Sequence, residues 1–121
     1  RIANGSTEKL GLGNLDIERD WGGAPEYVEA MWLMLQQDEP NDYVIATGES
    51  NPLSRFVELA FKSVNLDWHD HVVVDTAFLR PADLSRGAGD PSLAAAKLGW
   101  RAQNKMQEVV QLMVDAEMSA R

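Results

Sequence analysis

The stretch that organises this chain is Gly13-Asn14-Leu15-Asp16-Ile17-Glu18-Arg19-Asp20-Trp21-Gly22, which joins a short predicted strand to the first long helix. It is too rich in glycine, asparagine and charge to form core. Arg19 lies between two acids and beside Trp21, so its guanidinium could be held in one fixed pose. A held arginine suits a planar, bidentate anion such as a phosphate or a carboxylate, whereas a solvated charge cluster is the simpler alternative.

The segments on either side of this stretch predict a strand and a helix. Residues 9–12 alternate polar or small residues with apolar ones, which is a weak strand signal. Pro25 follows Ala24 at the position where a helix tolerates proline, and Glu26 lies in its first turn. The apolar surface of residues 27–35 is wider than a single stripe, so we expect this helix to be covered on more than one side.

The middle of the chain alternates strand and helix signals. Tyr43-Val44-Ile45-Ala46-Thr47 is the clearest strand and is bounded by Gly48. Asn51 and Pro52 predict an N-cap and a first helical position, and residues 53–64 continue as a clean one-sided apolar stripe. Val72-Val73-Val74 is an apolar run suited to a buried strand.

Two further helices are predicted near the end. Asp90 and Pro91 again predict an N-cap followed by proline, here at the start of a short helix over residues 93–98. Gly99 is expected to end this helix. Asn104 and Gln107 have the spacing of a capping box, and residues 106–116 form the stripe of a terminal helix.

This order of elements predicts an α/β fold with a small parallel sheet of about three short strands and about four helices. We expect residues 1–121 to form a single lobe, because no repeat, low-complexity segment or linker divides them. The chain opens without a methionine and reads like the back part of something longer.

Composition excludes several classes of function. The chain has 121 residues, 45% hydrophobic and 25% charged, and no cysteine, so disulfides and thiolate metal sites are impossible. The net charge of -8 argues against a nucleic-acid partner. The lack of cysteine is compatible with a reducing cytoplasm, which is the location we expect. No apolar run is long enough for a membrane span. His69 and His71 lack a third histidine or a cysteine to complete a zinc site, so surface histidines are favoured.

Motifs of catalysis are missing from the sequence. Gly11-Leu12-Gly13 has no third glycine in place for a dinucleotide site, and there is no Walker sequence or nucleophile elbow. Neither Tyr27 nor Tyr43 has a lysine four residues later. What remains is Arg19 and Arg80 in two irregular loops beside strand ends, where α/β folds gather ligands. Two arginines could clamp a diphosphate, and Asp83 could accept hydrogen bonds from sugar hydroxyls.

At these residues the chain closely resembles the GDP-mannose 4,6-dehydratases, which are extended members of the short-chain dehydrogenase/reductase superfamily. The resemblance is collinear over nearly the whole chain and is carried by Leu12-Gly13-Asn14-Leu15-Asp16, Arg19-Asp20-Trp21-Gly22, Glu26-Tyr27-Val28-Glu29-Ala30-Met31-Trp32-Leu33-Met34-Leu35-Gln36, Thr47-Gly48-Glu49, Arg80-Pro81-Ala82-Asp83, Gly89-Asp90-Pro91-Ser92 and Lys97-Leu98-Gly99-Trp100.

The resemblance implies a C-terminal, substrate-binding lobe of a cytoplasmic, homo-oligomeric lyase. It implies that an NADP-binding Rossmann domain, absent from these residues, carries the cofactor and the catalytic groups. The family's nucleotide-sugar contacts map to Arg19 and Arg80 for the diphosphate or nucleotide and to Asp83 for a ribose hydroxyl. The family usually has glutamate in place of Asp83, so the carboxylate here is withdrawn by about 1.5 Å.

Two functions follow as expectations. The first is a lobe that binds GDP-mannose and is not catalytic by itself, either excised or half of a split enzyme. The second is a non-catalytic module that binds a protein partner or associates with itself through its wide apolar face.

Overall fold

The computed structural model describes residues 1–120 and gives the α/β fold that the sequence predicts, with four α-helices and a small parallel sheet. In chain order, its strands and helices are β1 (Leu10–Leu12), β2 (Glu18–Asp20), α1 (Ala24–Leu35), β3 (Ser50–Pro52), α2 (Leu53–Lys62), β4 (Val72–Val74), α3 (Ser92–Leu98) and α4 (Met106–Ser119). Single 3₁₀ turns lie at Ile2–Asn4, Trp68–Asp70 and Thr76–Phe78.

The strands form two separate pairs. β1 and β4 pair in parallel, with Leu10 opposite Val72 and Leu12 opposite Val74. The connection between them contains α1 and α2 (Leu53–Lys62), as a parallel crossover requires. β2 and β3 pair antiparallel, with Arg19 opposite Asn51. The parallel sheet is therefore smaller than predicted, and an unpredicted antiparallel pair stands beside it.

The prediction of a strand at residues 43–47 is wrong, because these residues do not form a hydrogen-bonded strand. The side chains nearest to Gly89 are those of Val44 and Ala46, while Tyr43 and Ile45 pack against the core between α1 and α3. This alternation is that of an extended segment. The segment is not a strand because no backbone group elsewhere in residues 1–120 hydrogen-bonds to the backbone of residues 43–47.

The core lies in two adjoining parts. Between α1 and α3 it consists of Ala30, Ala94, Leu98 and Trp100. The opposite face of α1 is exposed in residues 1–120, with Met31 and Trp32 at 60% each, so the expectation that this helix is covered on more than one side is wrong. The Trp100 ring meets Tyr27 edge-on at 5.9 Å, and its indole N–H donates to the carbonyl of Glu26 at 3.1 Å. The second part lies where α2 packs on α4, and its buried side chains are Val57, Met106 and Val110.

The predicted helices are present, but three of their starts differ from the prediction. At α3 the residue before the helix is Pro91 and not Asp90, although the Asp90 carboxylate accepts the Ser92 amide at 3.0 Å. Asn51 belongs to β3 instead of capping α2, and Pro52 precedes the helix without a side-chain cap. At α4 the capping glutamate is Glu108, whose carboxylate accepts the Lys105 amide at 3.1 Å. The predicted box at Asn104 is therefore displaced by one residue. Gly99 ends α3 in the left-handed region, at φ 66°, as predicted.

No helix in residues 1–120 is long and apolar enough to cross a membrane. The same residues contain no group of three or more histidine, aspartate or glutamate side chains placed to hold a metal ion. His69 instead contacts Asp67 at 2.7 Å, and His71 stacks on Phe61.

Candidate functional site

β2 brings together the two irregular stretches that the sequence singles out. One edge of β2 pairs with β3. Along its other edge, the Glu18 amide donates to the carbonyl of Ser85 at 2.8 Å, and the Gly87 amide donates to the carbonyl of Glu18 at 2.8 Å. The loop that contains Asp83 therefore lies directly against the strand that contains Arg19.

The Arg19 side chain is held by this loop. Its guanidinium donates to Asp83 Oδ1 at 2.9 Å and to the carbonyls of Leu84 and Glu18 at 2.7 Å each. The side chains of Arg19 and Asp83 are 30% and 21% exposed, so the ion pair is largely shielded. These three bonds occupy three of the five N–H donors of an arginine, and the other two donors make no hydrogen bond within residues 1–120.

The sequence neighbours of Arg19 have other partners. The Asp20 carboxylate accepts the amides of Thr47 and Gly48, both at 2.9 Å. The Trp21 indole donates to the carbonyl of Asn51 at 3.0 Å, and its ring packs on Phe56 at 4.8 Å. Asp20 and Trp21 thus fix β2 to the segments that follow it, and the pose of Arg19 comes from the distant loop.

Arg80 lies near the same loop and is exposed. Residues 81 and 82 form a turn, with Pro81 in the position that proline favours. The turn places Arg80 and Asp83 at its two ends, where Cα atoms lie within about 7 Å of each other. Within the described part of the chain, no hydrogen bond or ion pair engages the Arg80 side chain.

Three other residues of these stretches were not predicted as site residues from the sequence. Arg86 forms an ion pair with Glu18 at 3.2 Å. Phe78 and Leu84 are 60% and 74% exposed on either side of the Arg80 turn. In the sequence, Phe78 and Leu84 are recognisable only as apolar residues within a polar loop. That pattern does not distinguish an exposed binding surface from buried core.

The glycines of residues 11–13 serve packing and do not form a phosphate cradle. A Cβ added at Gly13 would lie 2.6 Å from the backbone oxygen of Phe78, and one at Gly11 would lie 3.3 Å from the Phe78 ring. The space that a dinucleotide phosphate would need is therefore filled by the Thr76–Phe78 turn. These residues do not fit NADP, and we assign no cofactor chemistry to them.

Tyr27 is equally unsuited to proton transfer. Burial, followed by the nearby charges of Asp20 and Glu26, raises the pKa of its hydroxyl above the usual 10.0. A tyrosine that acts as a general base needs a shift in the opposite direction. Its ring instead packs over Gly22, where an added Cβ would lie 2.1 Å from the hydroxyl oxygen.

Comparison with known proteins identifies the family. The sequence model described as GDP-mannose 4,6 dehydratase matches residues 1–113. The chain belongs to the GDP-mannose 4,6-dehydratase family. It is 46% identical over 118 residues to GDP-mannose 4,6 dehydratase 1 of Arabidopsis thaliana and 41% identical over 135 residues to the Homo sapiens enzyme. Each match covers 98% of this chain but only 33% and 36% of the relative, so the chain spans about a third of their length.

Solved structures show the same fold at low identity. RMD from Pseudomonas aeruginosa, complexed with NADPH, superposes on the whole chain with a TM-score of 0.86 at 19% identity, over 40% of its own length. A dTDP-glucose 4,6-dehydratase from Bacillus anthracis in complex with NAD gives 0.80 at 16% identity and covers 93% of this chain. The chain is therefore folded like a portion of each of these two proteins, in agreement with the α/β fold that the sequence predicts.

Proposed function

We propose that this chain is the nucleotide-sugar-binding part of a GDP-mannose 4,6-dehydratase and does not catalyse the reaction by itself. Membership of the family supports GDP-mannose as the ligand. In this proposal, the complete enzyme is cytoplasmic. The residues that perform the dehydration and those that hold NADP lie in another part of that enzyme.

The observation that carries the proposal is the arrangement around β2. Arg19 has two free N–H donors and is fixed by Asp83, while Arg80 is an exposed cation without a partner in residues 1–120. Arginine donors in a fixed fork match the oxygens of a diphosphate. The second carboxylate oxygen of Asp83 would accept a hydrogen bond from a ribose hydroxyl, directly or through a water.

The two arginines have different roles in this proposal. Arg80 contributes an unshared positive charge, and Arg19 contributes both two ligand contacts and the position of the Asp83 loop. Phe78 and Leu84 supply an apolar surface beside them, suited to the face of a base or a sugar ring. Loss of Arg80 should therefore weaken binding alone, whereas loss of Arg19 should also loosen the loop.

Calorimetric titration of the chain with GDP-mannose tests this proposal. We expect saturable binding that Arg80→Ala weakens at least tenfold, which corresponds to about 1.4 kcal/mol. Arg101→Ala is the matched control, because Arg101 is also exposed and its side chain forms no ion pair within residues 1–120, but it lies in the connection between α3 and α4. Equal affinity of the Arg80 and Arg101 variants, or no heat of binding in the parent chain, would contradict the proposal.

A further inference from the structure

The Asp83 loop, residues 83–87, is joined to β2 by a single backbone bridge. The bridge is parallel and pairs Glu18 with Arg86. Its two hydrogen bonds run from the Glu18 amide to the carbonyl of Ser85 and from the Gly87 amide to the carbonyl of Glu18, each 2.8 Å long. A single bridge resists a shift in register only weakly, because the next residue along the loop offers the same backbone groups.

The side chains at this bridge hold the loop on both faces of β2. Glu18 and Arg19 point to opposite faces, because successive residues of a strand alternate. On one face, the guanidinium of Arg19 donates to Asp83 at 2.9 Å. On the other face, Arg86 lies opposite Glu18, and its Nε contacts the Glu18 carboxylate at 3.2 Å. One ion pair therefore fastens the loop on each face of the strand.

The two ion pairs are crossed in sign. β2 supplies the acid Glu18 and the base Arg19, while the loop supplies the base Arg86 and the acid Asp83. A shift of the loop by one residue would turn Arg86 to the face of Arg19 and bring two guanidinium groups together, and Glu18 would lose its partner. Because only the observed register satisfies both pairs, charge repulsion opposes the wrong register.

We propose that Glu18 and Arg86 are positioning residues, which fix the register of the Asp83 loop on β2 and thereby the location of the ligand-binding groups. This role rests on the proposed binding of GDP-mannose. Neither residue would contact the ligand, since their ion pair lies on the face of β2 opposite the Arg19 guanidinium. They act through the Asp83 carboxylate, which moves with the loop, and through the turn that carries Arg80.

The exposure of this pair sets the size of its effect. The side chains of Arg86 and Glu18 are 71% and 38% exposed, and exposed ion pairs contribute modestly because solvent screens them. The loop has other attachments, since the Ser50 hydroxyl donates to the carbonyl of Gly87 at 3.2 Å and Arg19 keeps its own bonds. We therefore expect variants of the pair to fold, with the loop attached but less well placed.

Neutral variants separate positioning from simple attraction of an anion. Glu18→Gln removes a negative charge and, through Coulomb attraction alone, would strengthen the binding of a diphosphate, whereas Arg86→Gln would weaken it. If the pair positions the loop, both variants weaken GDP-mannose binding, by about two- to fivefold in calorimetric titration. The double variant should bind about as weakly as either single variant, because the interaction is lost only once. Tighter binding by Glu18→Gln, or losses that multiply in the double variant, would overturn the proposal.

The ion pair between Arg55 and Glu58 provides the matched control. It joins two side chains of α2 at 2.7 Å, with exposed fractions of 45% and 43%, and it does not involve the Asp83 loop. Arg55→Gln and Glu58→Gln therefore remove the same charges from a pair outside the candidate site. We expect each to change the affinity for GDP-mannose by less than about twofold. Losses equal to those of Arg86→Gln and Glu18→Gln would contradict a positioning role.

Hydrogen exchange in the ligand-free chain tests the register without GDP-mannose. The Gly87 amide donates across the bridge to the carbonyl of Glu18. Its protection factor should fall about two- to fivefold in Glu18→Gln and in Arg86→Gln and stay unchanged in Arg55→Gln. Unchanged protection in the two loop variants would overturn the positioning role. Reduced protection together with no binding by the parent chain would instead overturn the ligand proposal, so the two failures are distinguishable.

Discussion

Arg19 has its position in the fold because acceptors from two parts of the chain converge on it. The carbonyl of Glu18 is local, but Asp83 and the carbonyl of Leu84 come from a loop more than sixty residues later. A lysine there would have one ammonium in place of a planar fork and could not satisfy the three acceptors in the same geometry. The residue is thus an organiser of the site as well as a candidate ligand contact.

Gly22 is required by the ring of Tyr27. An added Cβ would lie 2.1 Å from the Tyr27 hydroxyl oxygen and 2.5 Å from Cζ. The ring cannot easily move away because it packs on Trp100. We expect Gly22→Ala to lower the free energy of unfolding by about 1–3 kcal/mol in urea denaturation. At Gly23 the nearest atom to an added Cβ is 3.8 Å away, so Gly23→Ala should cost less than about 1 kcal/mol.

Tyr27 should make the fold sensitive to alkaline pH. Because burial and the charges of Asp20 and Glu26 raise its pKa above 10.0 in the fold, the neutral hydroxyl is favoured more in the folded than in the unfolded chain. That stabilisation is fully present below pH 10 and is lost as the pH rises through the folded pKa. Thermal melting from pH 8 to pH 11 should show a smaller alkaline loss for Tyr27→Phe than for the parent. Parallel losses in both proteins would refute this.

At the scale of elements, β2 is the hub of the candidate site. β3 lies on one edge and the loop of residues 83–87 on the other. Asp20 at its end ties residues 47 and 48 to the strand. Three separate segments therefore depend on a strand of only three residues, and changes to β2 should affect the site and the stability together.

Removal of the Asp20 carboxylate tests this hub. Asp20→Ala leaves the amides of Thr47 and Gly48 without their acceptor, and Thr47 is only 8% exposed. We expect a loss of about 2 kcal/mol of unfolding free energy, and about half of that for Asp20→Asn, which keeps one acceptor. Asp16→Ala is the control, since Asp16 is exposed and, within residues 1–120, its side chain makes no hydrogen bond or ion pair, while its amide donates to Asn14. It should change stability by less than about 0.5 kcal/mol.

On the scale of the whole molecule, the two parts of the core are linked by polar contacts. The Glu26 carboxylate of α1 accepts the amides of Gln103 and Asn104, which lead into α4. Lys105 pairs with Glu49 at 2.8 Å, just before β3. These contacts join the α1/α3 part to the α2/α4 part, so we expect the chain to unfold as one unit.

A substitution at Val110 tests whether the chain unfolds as one unit. Val110 is 2% exposed and belongs to the part of the core between α2 and α4. Val110→Ala should cost about 1–3 kcal/mol. The indole N–H signals of Trp100 and Trp21, which are bonded to Glu26 and Asn51 respectively, report on the two parts separately by NMR. Both signals should be lost at the same urea concentration. Val110→Ala should lower that urea concentration by the same amount for both signals. Two separate midpoints would show that the parts unfold independently.

The sequence by itself determined the helices and the family. A helix closes its hydrogen bonds within four residues, so the stripe of α2 and the proline and glycine around α3 were sufficient to predict them. The resemblance to GDP-mannose 4,6-dehydratases was also readable from the motifs around residues 12–22 and 80–83, and the family match confirms it.

Only the tertiary structure decided which strands pair and which groups hold Arg19. A strand completes its hydrogen bonds with a distant segment. Residues 43–47 have the composition of a strand but no partner strand within residues 1–120, whereas Ser50–Pro52 is a strand because β2 lies beside it. In the same way, the sequence suggests that the neighbours Asp20 and Trp21 hold Arg19, but the carboxylate that pairs with Arg19 is Asp83, 64 residues away. Sequence proximity does not report such contacts, because the fold must first bring the two segments together.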